Sequence, residues 1–169
     1  GGIGYGGDER PDLSNTQMAL EAATRAGTPA DDPVFRKALV FLERCQNLGE
    51  RKPQEWPRPG GGKLVAGTDG GATYMPGNSF AGEIDRGDGT WQARAYASIT
   101  YAPVKPYLFS GLKPDDERVA AAVRWLGRNF TVETNPGYAQ PAEPVEVVTW
   151  KLSAIRGAPR ITLPKTATT

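Results

Sequence analysis

This 169-residue sequence has no histidine. Ser-His-Asp and Cys-His activation of a nucleophile are therefore excluded within the chain, as is any His-ligated metal. A single cysteine, Cys45, excludes an internal disulfide. It falls on the apolar side of an expected helix and reads as a small core residue. Neither sign of charge is in excess: 20 Lys and Arg stand against 19 Asp and Glu, for a net charge of +1. That balance offers nucleic acid no electrostatic footing, and none is expected as a partner. No apolar run reaches the ~20 residues of a membrane-spanning helix, which leaves only peripheral membrane contact open. The chain begins with glycine and GGIGYGG is not a signal peptide, so the sequence reads as an excerpt or processed product without a stated compartment. Apolar residues make up a modest 38%, against 21 glycines and 15 prolines, so much of the chain must be loop.

What is present is a repeat. Residues 12–47 read as two helices joined by a short turn, and residues 96–131 repeat them 84 positions on without a gap. Thr16 matches Thr100, Gly27 matches Gly111, and Asp31-Asp32 match Asp115-Asp116. Ala38 matches Ala122, Leu42 matches Leu126, and Phe41 stands where Trp125 recurs. In the first copy, Ser14 with Gln17 fits a capping box, and Asp12 is the alternative cap. Gly27 is placed to end that helix in the left-handed conformation. Asp32-Pro33 opens the second helix as an acidic cap followed by proline at the first helical position. Phe35, Ala38, Leu39 and Leu42 then fall on one helical face. In the second copy, Pro103 fits a first turn, Pro106 should kink or delay the helix, and Gly111 ends it. Asp115 or Asp116 caps the partner helix, whose face is Val119, Ala122, Val123 and Leu126, with bulk from Trp125 and Phe130.

Residues 48–95 differ. Pro53, Pro57, Pro59 and Gly60-Gly61-Gly62 are expected to exclude regular structure there, leaving a long loop tied down by Trp56, Tyr74, Met75, Phe80 and Trp91. The acidic run with Glu83, Asp85 and Asp88 lacks calcium-loop spacing and reads as a solvated turn. The tail, 132–169, is hard to read: 143–155 is ambiguous between strand and helix, and 163–169 is expected to fray.

The segments GGIGYGGDERPDLSNTQMALEA, ALVFLERCQN and DGGATYMPG, with the second copy through NPG, resemble the prenyltransferase and squalene-cyclase repeat family over about residues 1–137. The resemblance implies an all-α fold: helical hairpins of an incomplete α/α toroid, joined by a long Gly/Pro-rich loop. The helices from Ser14 and Ser98 would be inner, and those from Asp32 and Asp116 outer. The family's functional motifs are not met. Cyclases of this kind protonate with Asp-x-Asp-Asp, and Asp85-Arg86-Gly87-Asp88 does not fit. Protein prenyltransferases bind zinc through Asp, Cys and His, and there is no His. No catalytic residue, metal or cofactor is expected. The acidic pairs read as helix caps, since a helix amino end favours the ionised carboxylate, contrary to the need of a general acid.

By the family's geometry, a ligand cavity would be lined by the amino ends of the inner helices: Asn15, Thr16, Tyr96, Ser98, Thr100 and Tyr101. Packing and capping are the competing roles for these residues. The functional expectation is a helical repeat module, not catalytic by itself. It would bind an apolar isoprenoid-like ligand, or a protein that completes the ring. The alternative is a piece of a terpenoid cyclase.

Overall fold

The computed structural model describes residues 1–5, 10–51 and 53–138. The expectations for 143–155 and 163–169 lie outside these residues. Element order is α1 (Leu13–Arg25), α2 (Pro33–Arg44), β1 (Glu55–Pro57), β2 (Lys63–Val65), β3 (Glu83–Asp85), β4 (Thr90–Ala93), α3 (Ala97–Thr100), α4 (Val104–Phe109) and α5 (Glu117–Arg128).

Both hairpins form, and the 84-residue register holds at the level of single hydrogen bonds. The Thr16 hydroxyl donates to the Asp12 carbonyl at 2.7 Å, and that of Thr100 to the Tyr96 carbonyl at 2.8 Å. Gly27 and Gly111 both have φ of 82°, which only glycine adopts without strain. Thr28 N–H returns to the Ala23 carbonyl, and Leu112 N–H to that of Tyr107, so both first helices end in the same Schellman turn. Asp32 accepts from Val34 N–H at 2.8 Å and Asp116 from Arg118 N–H at 3.0 Å, capping α2 and α5.

Two details differ from expectation. Asp12, not Ser14, caps α1, accepting from the Asn15 N–H. The first helix of the second copy is broken into α3 and α4. Pro103 becomes the residue before α4, and Pro106 falls in its first turn, where a missing N–H costs little. Ala19 and Ala22 occupy the equivalent places in α1, which stays continuous.

The expectation of an all-α fold, an incomplete α/α toroid with an irregular connector, is overturned by a four-stranded mixed sheet inside 48–95. Its order is β1-β2-β4-β3. β1 pairs antiparallel with β2, β2 parallel with β4, and β4 antiparallel with β3. The prolines and glycines shape the sheet rather than forbid it. Pro57 sits on edge strand β1, where no ladder donor is needed. Gly60, Gly61 and Gly62 take positive φ to turn β1 into β2. The Arg58 guanidinium lies 4.1 Å over the Trp91 ring and pairs with Glu83 at 2.7 Å, clipping the two edges of the sheet together. The acidic run is the β3–β4 turn: Asp85 accepts from Gly87 N–H and Asp88 from Thr90 N–H.

A shorter repeat accompanies the hairpins. Residues 1–5, GGIGY, and 70–74, GGATY, form two extended straps. Ile3 N–H donates to the Thr16 hydroxyl at 2.8 Å, and Ala72 N–H to that of Thr100 at 3.0 Å. A Cβ on Gly2 would lie 2.6 Å from Phe41, and one on Gly71 2.7 Å from the Trp125 indole nitrogen. The straps therefore require glycine because they lie flat on the aromatic of their own hairpin's second helix. Gly71→Val is expected to cost about 1–3 kcal/mol by overpacking, read as a lowered urea midpoint with unchanged m-value. The matched Gly27→Val tests strain alone, since a Cβ there meets nothing within 4 Å.

Leu13, Leu20, Phe35, Ala38, Leu42, Tyr96, Ile99, Tyr107 and Val119 are buried in one cluster drawn from both hairpins. The joint is closed by Gln46, 1% exposed. Its amide nitrogen donates to the Gly70 and Arg118 carbonyls, both at 2.9 Å, and its oxygen accepts from the Tyr107 hydroxyl at 2.8 Å.

Candidate functional site

The amino ends of α1 and α3 meet at a group of aromatic side chains above a buried carboxylate. The strap carries Tyr74 there, and its carbonyl accepts from Leu13 N–H at 2.9 Å, satisfying the exposed start of α1. The Pro136 carbonyl does the same for Ala97 at the start of α3. Tyr74 packs against Phe80 with ring centroids 4.5 Å apart, and Tyr96 meets Tyr138 edge-on at 5.4 Å. Tyr5 and Phe80 are 68% and 62% exposed, and Tyr138 39%, so the patch faces solvent. Beneath it, Asp12 is 3% exposed. Burial, then the Asp12 charge, then Tyr5 push the Tyr74 phenol up, and it is hydrogen-bonded to Asp12. The Tyr96 phenol is pushed up chiefly by burial, with smaller contributions from Tyr138, Tyr74 and Asp12. These phenols stay neutral donors at physiological pH.

The six residues expected from the sequence fall into two groups. Thr16 and Thr100 are fully buried, and each hydroxyl ties its helix start to a strap. Tyr96 is buried at 5% exposure, and Asn15 donates its amide to Asp12. Ser98 and Tyr101 are on the surface, with the Ser98 hydroxyl accepting from the Asn135 amide at 2.9 Å. Of the six, only Tyr96 has its ring in the patch. Sequence reasoning missed Tyr5, Asp12, Tyr74 and Tyr138 as one group because they come from four segments spread over the chain. The available signal was the repeated Gly-Gly-x-x-Tyr of the straps.

The other carboxylates of note are structural. Asp116 receives the Arg118 guanidinium at two oxygens, both at 2.8 Å. Hydrogen bonds from the Arg118 side chain, with its backbone N–H and charge, hold the carboxyl at about 2. A group so depressed stabilises the fold fully above its unfolded value near 3.9, and that contribution disappears as pH falls toward 2. Asp116→Ala is therefore expected to cost about 1–2 kcal/mol at neutral pH and almost nothing near pH 2. Urea unfolding at the two pH values checks this.

A groove of about 490 Å³ beside α5 is lined by Glu50, Arg51, Asp69, Glu117, Arg124 and Arg128. It is open and its charges balance, which suits neither an isoprenoid chain nor a strong anion. Among the described residues, no three carboxylate or thiol side chains converge as a metal site requires. Among them, too, no helix is long and apolar enough to cross a membrane. No family model, curated protein or solved structure matches the chain.

Proposed function

We propose that this chain is a prenyltransferase/squalene-cyclase-like repeat module, not catalytic by itself, that binds a partner protein through the aromatic patch. The observation that carries the reading is the patch: Tyr5, Phe80 and Tyr138 exposed together over Tyr74 and the buried Asp12. Exposed tyrosines held on a fixed backbone are common anchors of protein interfaces, because little side-chain freedom is lost on binding. Asp12, buried under the patch, caps α1 and accepts from Asn15 and Tyr74. The open, charge-lined groove beside α5 does not enclose an apolar chain, which favours protein over isoprenoid.

The second reading, a piece of a terpenoid cyclase, draws on the same rings, whose faces could hold a carbocation. One experiment separates the two. A benzophenone photo-crosslinker is placed at position 80 and, as control, at exposed Val40, and the protein is separately incubated with squalene and with farnesyl diphosphate. The module reading expects capture of one discrete protein from position 80 but not position 40, and no product. A cyclised or hydrolysed isoprenoid would reverse the assignment. Absence of capture at position 80 would remove the patch as the binding surface.

A further inference from the structure

The joint between the hairpins has polar contacts whose members can be followed 84 positions along the chain. At the joint, Gln46 meets Tyr107, and Glu43 pairs with Arg118 at 3.6 Å. Gln46 and Glu43 are at the carboxyl end of the first hairpin, Tyr107 and Arg118 on the receiving face of the second. Moving each to its repeat equivalent gives the open face of the other hairpin. Gln46 becomes Phe130 and Glu43 becomes Gly127 on the second hairpin. Tyr107 becomes Ala23 and Arg118 becomes Val34 on the first.

Both partners thus change together. A hydrogen-bonded Gln–Tyr pair turns into a large apolar residue opposite a small one, and a charge pair turns into glycine opposite valine. Neighbouring positions follow. Leu39, packed against the core, becomes Val123, and Leu48 becomes Val132. Ala102, buried in the core cluster, corresponds to Met18. Val123 is 51% exposed, Phe130 71%, Val132 83% and Met18 66%. Among the described residues, Val123, Phe130 and Val132 are thus left exposed on the second hairpin and Met18 on the first, where Ala23 and Val34 are partly buried against the core; the two faces correspond in the register the internal joint already uses.

We infer that these two faces bind each other between copies of this chain. The face of Val123, Phe130 and Val132 on one copy stacks around exposed Met18 on the next, beside the still partly accessible Ala23 and Val34, as the first hairpin stacks on the second. The contact is head-to-tail, so each added copy leaves one face of either kind open, and the assembly grows into a ring or filament. It uses surfaces apart from the aromatic patch and does not depend on the patch's partner.

The test is sedimentation velocity of the full chain over a wide concentration range, with Phe130→Asp and Met18→Asp variants. Both residues are exposed, so circular dichroism should remain that of the wild type. The wild type is expected to associate beyond a dimer as concentration rises. Each variant alone is expected to stay monomeric, with association weakened at least about tenfold. An equimolar mixture of the two variants joins one intact face from each and is expected to stop at a 1:1 dimer. A wild type that stays monomeric overturns the inference, as does association that survives Phe130→Asp or a mixture that remains monomeric.

Discussion

Gln46→Ala is expected to lower the unfolding free energy by about 3–5 kcal/mol, because each buried polar group left without a partner costs about 1–3 kcal/mol. Three groups lose a bond at once: the Tyr107 hydroxyl and the carbonyls of Gly70 and Arg118. Tyr107 is fully buried, and burial pushes its phenol well up, so the hydroxyl can neither ionise nor reach water. A second substitution shows where the cost lies. Tyr107→Phe added to Gln46→Leu removes two of the partners together and is expected to recover about 1–2 kcal/mol, leaving the two carbonyls unpaid. Urea unfolding of the two single variants and the double gives the coupling directly. An additive result would mean that the joint is held by packing alone.

The second large effect is expected at Phe35, where replacement by Ala should cost about 3–5 kcal/mol through lost burial and the cavity left behind. Phe35 is 1% exposed and belongs to the cluster that both hairpins share. The loss should therefore move the whole transition rather than melt the first hairpin alone. Tryptophan fluorescence, to which Trp125 in the second hairpin contributes, and helical circular dichroism are expected to shift to the same lower midpoint. Phe80→Ala in the patch makes the contrast. Phe80 is 62% exposed, and its loss should change stability by no more than about 0.5 kcal/mol while removing capture by a benzophenone placed instead at Tyr138.

The hairpins were legible because their signals are local. Asp32-Pro33, Gly27 and Gly111 act through the backbone within one turn, and the gapless 84-residue echo carried them to the second copy. Ser14 misled because a capping box and an Asp cap two residues earlier are both sound local chemistry. The choice fell to Asp12 because the strap crosses there: Asp12 N–H donates to the Ile3 carbonyl at 3.2 Å. The sheet was missed for a different reason. Its strands are three or four residues long, too short to show alternation. Its central pairing joins Leu64 to Trp91 in parallel, a non-local contact that no turn signal announces. The strap repeat escaped because Asp12 follows Ile3 by nine positions, whereas Tyr96 follows Ala72 by 24. The extra length carries β3 and β4 and breaks a gapless comparison.

The straps and Gln46 turn what reads as a spacer into the part that holds both hairpins in one body and fixes Tyr74 under the patch. Native-state hydrogen exchange tests this claim most directly. Ala72 N–H is bonded to the Thr100 hydroxyl, Thr73 N–H to the Cys45 carbonyl at 2.8 Å, and Asn47 N–H to the Gly71 carbonyl at 2.8 Å. These three amides are expected to exchange only through global unfolding, with the same free energy as Leu42 in α2. If they exchange as fast as Gly87 in the exposed β3–β4 turn, the connector is a loose loop and the account of a clamped two-hairpin module is wrong.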